Sequence, residues 1–176
     1  MPVGSIAAAR RRSGGGGARQ VFRLVVTAVA NSSPAGDVLN IAEIELAEER
    51  NGPNVAQLAT ITAATSSGAS TDGSKTNDGN FATYWETSAT GPNDRILTID
   101  FGSNPANWRD IQEIRIYPRN DNSAWANRAP GSFTFQVQNG ASWSTLFSES
   151  GVPASRYANF LPGVFRSATC PAGAPG

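Results

Sequence analysis

The stretch Phe133-Thr-Phe-Gln-Val-Gln-Asn-Gly140 decides the fold. Phe133, Phe135 and Val137 alternate with Thr134, Gln136 and Gln138. A period of two with one polar face marks an antiparallel strand covered on one side only. Asn139-Gly140 then ends the run with a turn signal. The same alternation recurs upstream. Phe22, Leu24 and Val26 share a face, as do Leu97, Ile99 and Phe101. Ala42, Ile44 and Leu46 lie opposite Ile41, Glu43 and Glu45, and Ile114 and Ile116 lie opposite Glu113, Arg115 and Tyr117. Between these runs stand Asn31-Ser-Ser-Pro-Ala-Gly-Asp37, Asn51-Gly-Pro, Asn77-Asp-Gly-Asn80 and Gly91-Pro-Asn, all dense in turn formers. Several short strands spaced by such signals predict an all-β antiparallel sandwich of the jelly-roll type. No long helix and no internal repeat is expected.

The flanks lack this pattern. Residues 1–20 carry Arg10-Arg-Arg-Ser-Gly-Gly-Gly-Gly-Ala and read as a flexible basic arm. Residues 151–176 end in Cys170-Pro-Ala-Gly-Ala-Pro-Gly and read as a tail. The expected division is therefore an arm over 1–20, a sandwich over 21–150 and a tail over 151–176.

Composition narrows the function. The chain has 176 residues, enough for one domain with a core of useful size. Net charge is zero, which offers no bulk attraction for nucleic acid or anionic membrane. With no histidine, histidine triads, histidine-ligated zinc and histidine general-base chemistry are all excluded. The single cysteine, Cys170, excludes an internal disulfide. No stretch approaches the ~20 apolar residues of a membrane helix. The opening residues run apolar, basic, then Gly-rich, the reverse of a signal peptide. No nucleophile elbow, phosphate loop or metal-hydrolase motif appears, so no enzyme is expected.

Five segments in order carry a resemblance. They are Lys75-Thr-Asn-Asp-Gly-Asn-Phe-Ala-Thr-Tyr-Trp85, Arg95-Ile-Leu-Thr-Ile-Asp-Phe-Gly102, Ile111-Gln-Glu-Ile-Arg-Ile-Tyr117, Arg128-Ala-Pro-Gly-Ser-Phe-Thr-Phe135 and Asn139-Gly-Ala-Ser-Trp143. Together they resemble the discoidin, or coagulation factor 5/8 type C, domains and related galactose-binding-like carbohydrate modules. The strands Val21-Phe-Arg-Leu-Val-Val and Ile41-Ala-Glu-Ile-Glu-Leu46 stand first here, whereas their counterparts close the common form. The sequence therefore looks circularly permuted, which a sandwich with neighbouring termini tolerates. This opening resembles modules of tailed-phage virion proteins.

The resemblance implies sites. Family members often hold a structural Ca²⁺ in the first segment. The matching residues are Asp78, Asn80, Thr83 and Glu43 with the Lys75 carbonyl, a set of hard oxygen donors such as Ca²⁺ takes. The competing reading is a plain Asp78-Gly79 turn. By the same resemblance Trp85 and Trp143 belong to the core.

The loop between the third and fourth segments is the ligand candidate, since binding loops cluster at sandwich ends. It offers Trp125 to stack on a sugar ring and Arg119, Asn120, Asp121 and Arg128 to bond hydroxyls. The competing reading is a loop that pins itself by Arg–Asp pairing or contacts a neighbouring subunit. Arg10, Arg11, Arg12 and Cys170 are the candidates for docking on partner chains.

The expected function is a non-enzymatic virion structural protein of a phage tail, fibre, collar or capsid decoration. Its location would be the virion surface, in multiple copies, with arms on other virion proteins and the sandwich on cell-surface glycan. The alternatives are a purely cementing decoration protein and an accessory carbohydrate-binding module of a secreted enzyme.

Overall fold

The computed structural model describes residues 19–30, 38–64, 72–87, 95–121 and 123–172. They form an all-β antiparallel sandwich. The strands are β1 (Val21–Val29), β2 (Leu39–Ile41), β3 (Glu43–Ala47), β4 (Thr60–Ala63), β5 (Trp85–Thr87), β6 (Ile96–Asp100), β7 (Glu113–Tyr117), β8 (Pro130–Asn139), β9 (Ser142–Glu149) and β10 (Gly163–Arg166). Short 3-10 turns connect them: η1 (Ala56–Leu58), η2 (Gly73–Thr76), η3 (Pro105–Asn107), η4 (Ser123–Arg128) and η5 (Ala154–Phe160).

One sheet has the order β4-β6-β1-β8-β9, a second β10-β7-β3, and β2 pairs with β5 in a small third. Every pairing is antiparallel. The expected alternation holds. Phe22, Leu24 and Val26 stand across from Val137, Phe135 and Phe133, all on the inner face. Leu97 and Ile99 continue that layer from β6, and Ile44, Leu46, Ile114 and Ile116 answer from the second sheet. The hairpin of β8 and β9 closes at Asn139↔Ser142 around Gly140, whose φ of 64° favours a residue without Cβ.

Three features differ from the sequence reading. The run 41–46 is not one strand. It breaks at Ala42, so that Ile41 pairs with Trp85 in one sheet while Ile44 pairs with Ile116 in another. Both faces of this corner are covered, which is why Asn40 and Glu43 are buried beside their apolar neighbours.

The second difference concerns the segment after residue 150, expected as a tail. It belongs to the sandwich at least to residue 172. β10 pairs with β7, Tyr157 and Phe165 are core residues, and the Tyr157 hydroxyl donates to the Pro130 carbonyl at 2.7 Å. Beyond β10 the chain stays attached: the Ser167 amide donates to the Gln112 carbonyl, and the Arg50 amide to the Pro171 carbonyl. Two isolated aromatics and a four-residue strand are too little for periodicity to detect.

Thirdly, Trp85 is fully buried as expected, but Trp143 is not a core residue. It stands across from Gln138 on the outer face, under the Arg23 guanidinium at 4.2 Å from the ring centroid.

Candidate functional site

The expected ligand loop leaves β7 and returns to β8 through η4. Its first half is tightly held. Arg119 donates from Nε and Nη2 to the two oxygens of Asp121, both at 2.6 Å, a fork-to-fork pair two residues apart. The same guanidinium lies 3.9 Å over the ring of Tyr84 and reaches Glu86 at 3.3 Å. Arg128, from the last turn of η4, approaches the same Glu86 oxygen at 3.9 Å. Hydrogen bonding to Asp121, above all, raises the Arg119 pKa. Asn120 and Asp121 are exposed. The Trp125 backbone is part of η4; its side chain lies outside the described residues.

Four of the five expected ligand residues thus stand at one end of the sandwich. Sequence reading missed the two that fix their geometry, Tyr84 and Glu86. Both come from the β5 edge, some 35 positions upstream of Arg119. A sequence carries no signal for such a pairing until the topology is known.

The expected cation set is also partly gathered. The turn after η2 closes on itself. Asp78 accepts the Asn80 amide at 2.8 Å and the Thr83 hydroxyl at 2.7 Å, and Asn80 accepts the Ala82 amide at 3.1 Å. Glu43 faces this turn from the start of β3. It is 1% exposed, and neither carboxylate oxygen has a hydrogen-bond partner. Burial raises its pKa to about 7. The Gly79 amide opposes that shift without reaching hydrogen-bond geometry, and Asp78 and Glu45 add to it. A buried carboxylate with both oxygens orphaned costs free energy unless a proton or a cation answers it. The donor chemistry fits a hard cation: two carboxylates, an amide oxygen, a hydroxyl and the Lys75 carbonyl on η2, which packs against β3. Only two of these are carboxylates, and no group of three His, Cys, Asp or Glu side chains is gathered among the described residues.

Of the expected docking residues, Arg10, Arg11 and Arg12 lie outside the described residues. Cys170 is half-buried, its amide bonded to the Ser167 carbonyl. Burial pushes its thiol pKa up, which disfavours the reactive thiolate.

Beside Cys170, the outer face of the second sheet carries an ion network that sequence reading did not single out. Glu113 is fully buried and accepts from Arg115 at 2.7 Å, from Arg166 and from the Asn51 amide. Arg115 also donates to Glu45 at 2.7 Å and to the Gly52 carbonyl at 2.6 Å. Burial pushes the Glu113 pKa up, but these donors outweigh it and hold it low. Both Glu113 oxygens and all three Arg115 nitrogens are answered, so this network stabilises the fold. Neither a family model, nor a curated protein, nor a solved structure matches the chain.

Proposed function

We propose that the chain is a non-enzymatic, circularly permuted discoidin-like module displayed on a virus particle, with the 119–128 end contacting host-surface glycan. The observation that carries this reading is the Arg119 guanidinium, fixed at once by Asp121, Glu86 and the Tyr84 ring. Saccharide recognition needs planar polar groups held in place before the ligand arrives, since rotamer ordering otherwise weakens binding. Arg119 has that fixity, and Asn120, Arg128 and Trp125 flank it on the same loop. The arms would dock the module in multiple copies on other virion proteins.

In this reading a Ca²⁺ ion held by Glu43, Asp78, Asn80, Thr83 and the Lys75 carbonyl has a structural role. It would neutralise the buried Glu43 carboxylate and tie the 78–83 turn to β3.

A second reading is favoured by the Arg119–Asp121 pair itself. Two groups that satisfy each other have less to offer a sugar and more to offer a rigid subunit contact. In that case the protein is a cementing decoration protein.

One experiment separates the two: a glycan array probed with the full chain, with Ca²⁺ and with chelator, and with the Trp125→Ala/Arg128→Ala double variant. Saturable binding lost in the folded double variant supports the adhesin. Silence from the folded wild type, with the double variant failing to join particles, supports the cement.

A further inference from the structure

The outer face of the five-stranded sheet carries a second feature, built from none of the 119–128 residues. One row of side chains crosses all five strands: Thr62 stands across from Thr98, Thr98 from Arg23, Arg23 from Gln136, and Gln136 from Thr145. Neighbouring strands lie about 4.8 Å apart, so the row spans roughly 19 Å of hydroxyl, amide and guanidinium groups. Arg23 at its centre is the one charge in it.

That charge is held in an unusual way. Its Nε donates to Gln136 at 2.6 Å, and its plane lies over the Trp143 ring. The Gln136 amide in turn donates to the Thr145 hydroxyl at 3.1 Å, which orients both groups. Arg23 is half-buried, yet among the described residues no carboxylate pairs with it. The acid of the adjacent row, Asp100, is taken by Arg19. Burial also lowers the Arg23 pKa, the mark of a cation whose lost hydration is not repaid by a nearby acid. With Nε engaged and one face stacked, the terminal nitrogens form a fixed fork that suits the two oxygens of a carboxylate.

We propose that this fork binds the carboxylate of an acidic saccharide lying across the sheet, with Trp143, Thr98, Gln136 and Thr145 beside it. The surroundings favour a saccharide over a protein carboxylate. Protein interfaces have an apolar centre, whereas this row is made of hydrogen-bonding side chains. The inference uses none of the residues of the 119–128 end and stands whether or not that end binds glycan.

The test titrates the full chain with oligogalacturonate and with sialyllactose, each against its carboxyl methyl ester, at low and moderate salt. Binding of an acid form at least about tenfold tighter than its ester is expected. Arg23→Gln should remove that preference with the melting transition retained. The Trp125→Ala/Arg128→Ala variant should keep it. Should Arg23→Gln fail to fold, Arg23→Lys retains the charge without the fork, and about a tenfold loss is again expected. The proposal is overturned if acid and ester bind alike, if neither acid binds, or if folded Arg23→Gln or Arg23→Lys binds as wild type does. Saccharide silence together with a change in self-association of Arg23→Gln, read by sedimentation, would instead assign the fork to a protein carboxylate.

Discussion

Phe133 of β8 and Phe165 of β10 meet edge to face, with ring centroids 4.8 Å apart and planes at 81°. This contact joins the large sheet to the second one, and it comes from the segment whose sequence looks least structured. Tyr157 backs it at 6.4 Å from Phe165. Phe165→Ala should therefore cost about 3–5 kcal/mol, as for other buried phenylalanines. Urea unfolding reads this directly, and a loss below about 1 kcal/mol would return residues 151–172 to the status of a loose tail.

Gly131 permits another close approach. A Cβ there would stand 2.2 Å from the Val29 carbonyl oxygen, a backbone atom that cannot swing aside. Gly131→Ala should shift the β1–β8 register locally and lower stability by about 1–3 kcal/mol. Amide exchange should rise at β1 and β8 first; unchanged exchange and stability would contradict so close an approach of the two strands.

Glu43 gives a pH dependence with a definite sign. Its folded pKa is raised to about 7, so the folded state holds this proton more tightly than the unfolded chain. The contribution is complete below the unfolded carboxyl pKa of about 4.3 and is lost as pH rises through about 7. Without cation, stability should fall across that window, by at most about 4 kcal/mol. Glu43→Gln should flatten the curve. Added Ca²⁺ should raise the melting temperature of the wild type at about pH 8, above the titration of the buried carboxyl, and leave Glu43→Gln unmoved. Equal responses would remove Glu43 from the cation set.

Glu113 should behave in the opposite sense. Its pKa is held low by Arg115, Arg166 and the Asn51 amide, against the upward push of burial. Its stabilisation is present above the unfolded carboxyl pKa and is lost as pH falls through the lower folded value. Glu113→Ala would leave two arginines facing a buried gap and should cost about 3–5 kcal/mol at neutral pH. Comparing Glu43→Gln and Glu113→Gln by denaturation across pH separates the two carboxylates, because one acts above about pH 4.3 and the other below it.

Much of the fold was legible in the chain itself. Wherever one face is buried and the other wet, alternation must appear, and it placed β1, β6, β7 and β8 on their residues. It failed where that condition fails. The corner at Ala42 is covered on both faces, so two strands read as one. β5 and β10 have only three and four residues, too few to set a period. Trp143 was misread for a related reason: an indole sits as well under a guanidinium on an outer face as in a core.

For the sites, sequence supplied the residue types and topology supplied their company. Arg119 and Asp121 can be paired by their spacing alone, but Tyr84 and Glu86 join them only because β5 ends beside the loop. Glu43 looks like any strand carboxylate until the 78–83 turn covers it and leaves both oxygens unanswered. Arg23 looks like any solvated arginine until five strands set it between Gln136 and Trp143 with no acid paired to it among the described residues. Local patterning determined which segments form strands, because side-chain direction follows from the backbone alone. Which charges end up paired, buried or alone was decided by tertiary structure, because that depends on residues brought together across up to 115 positions of chain.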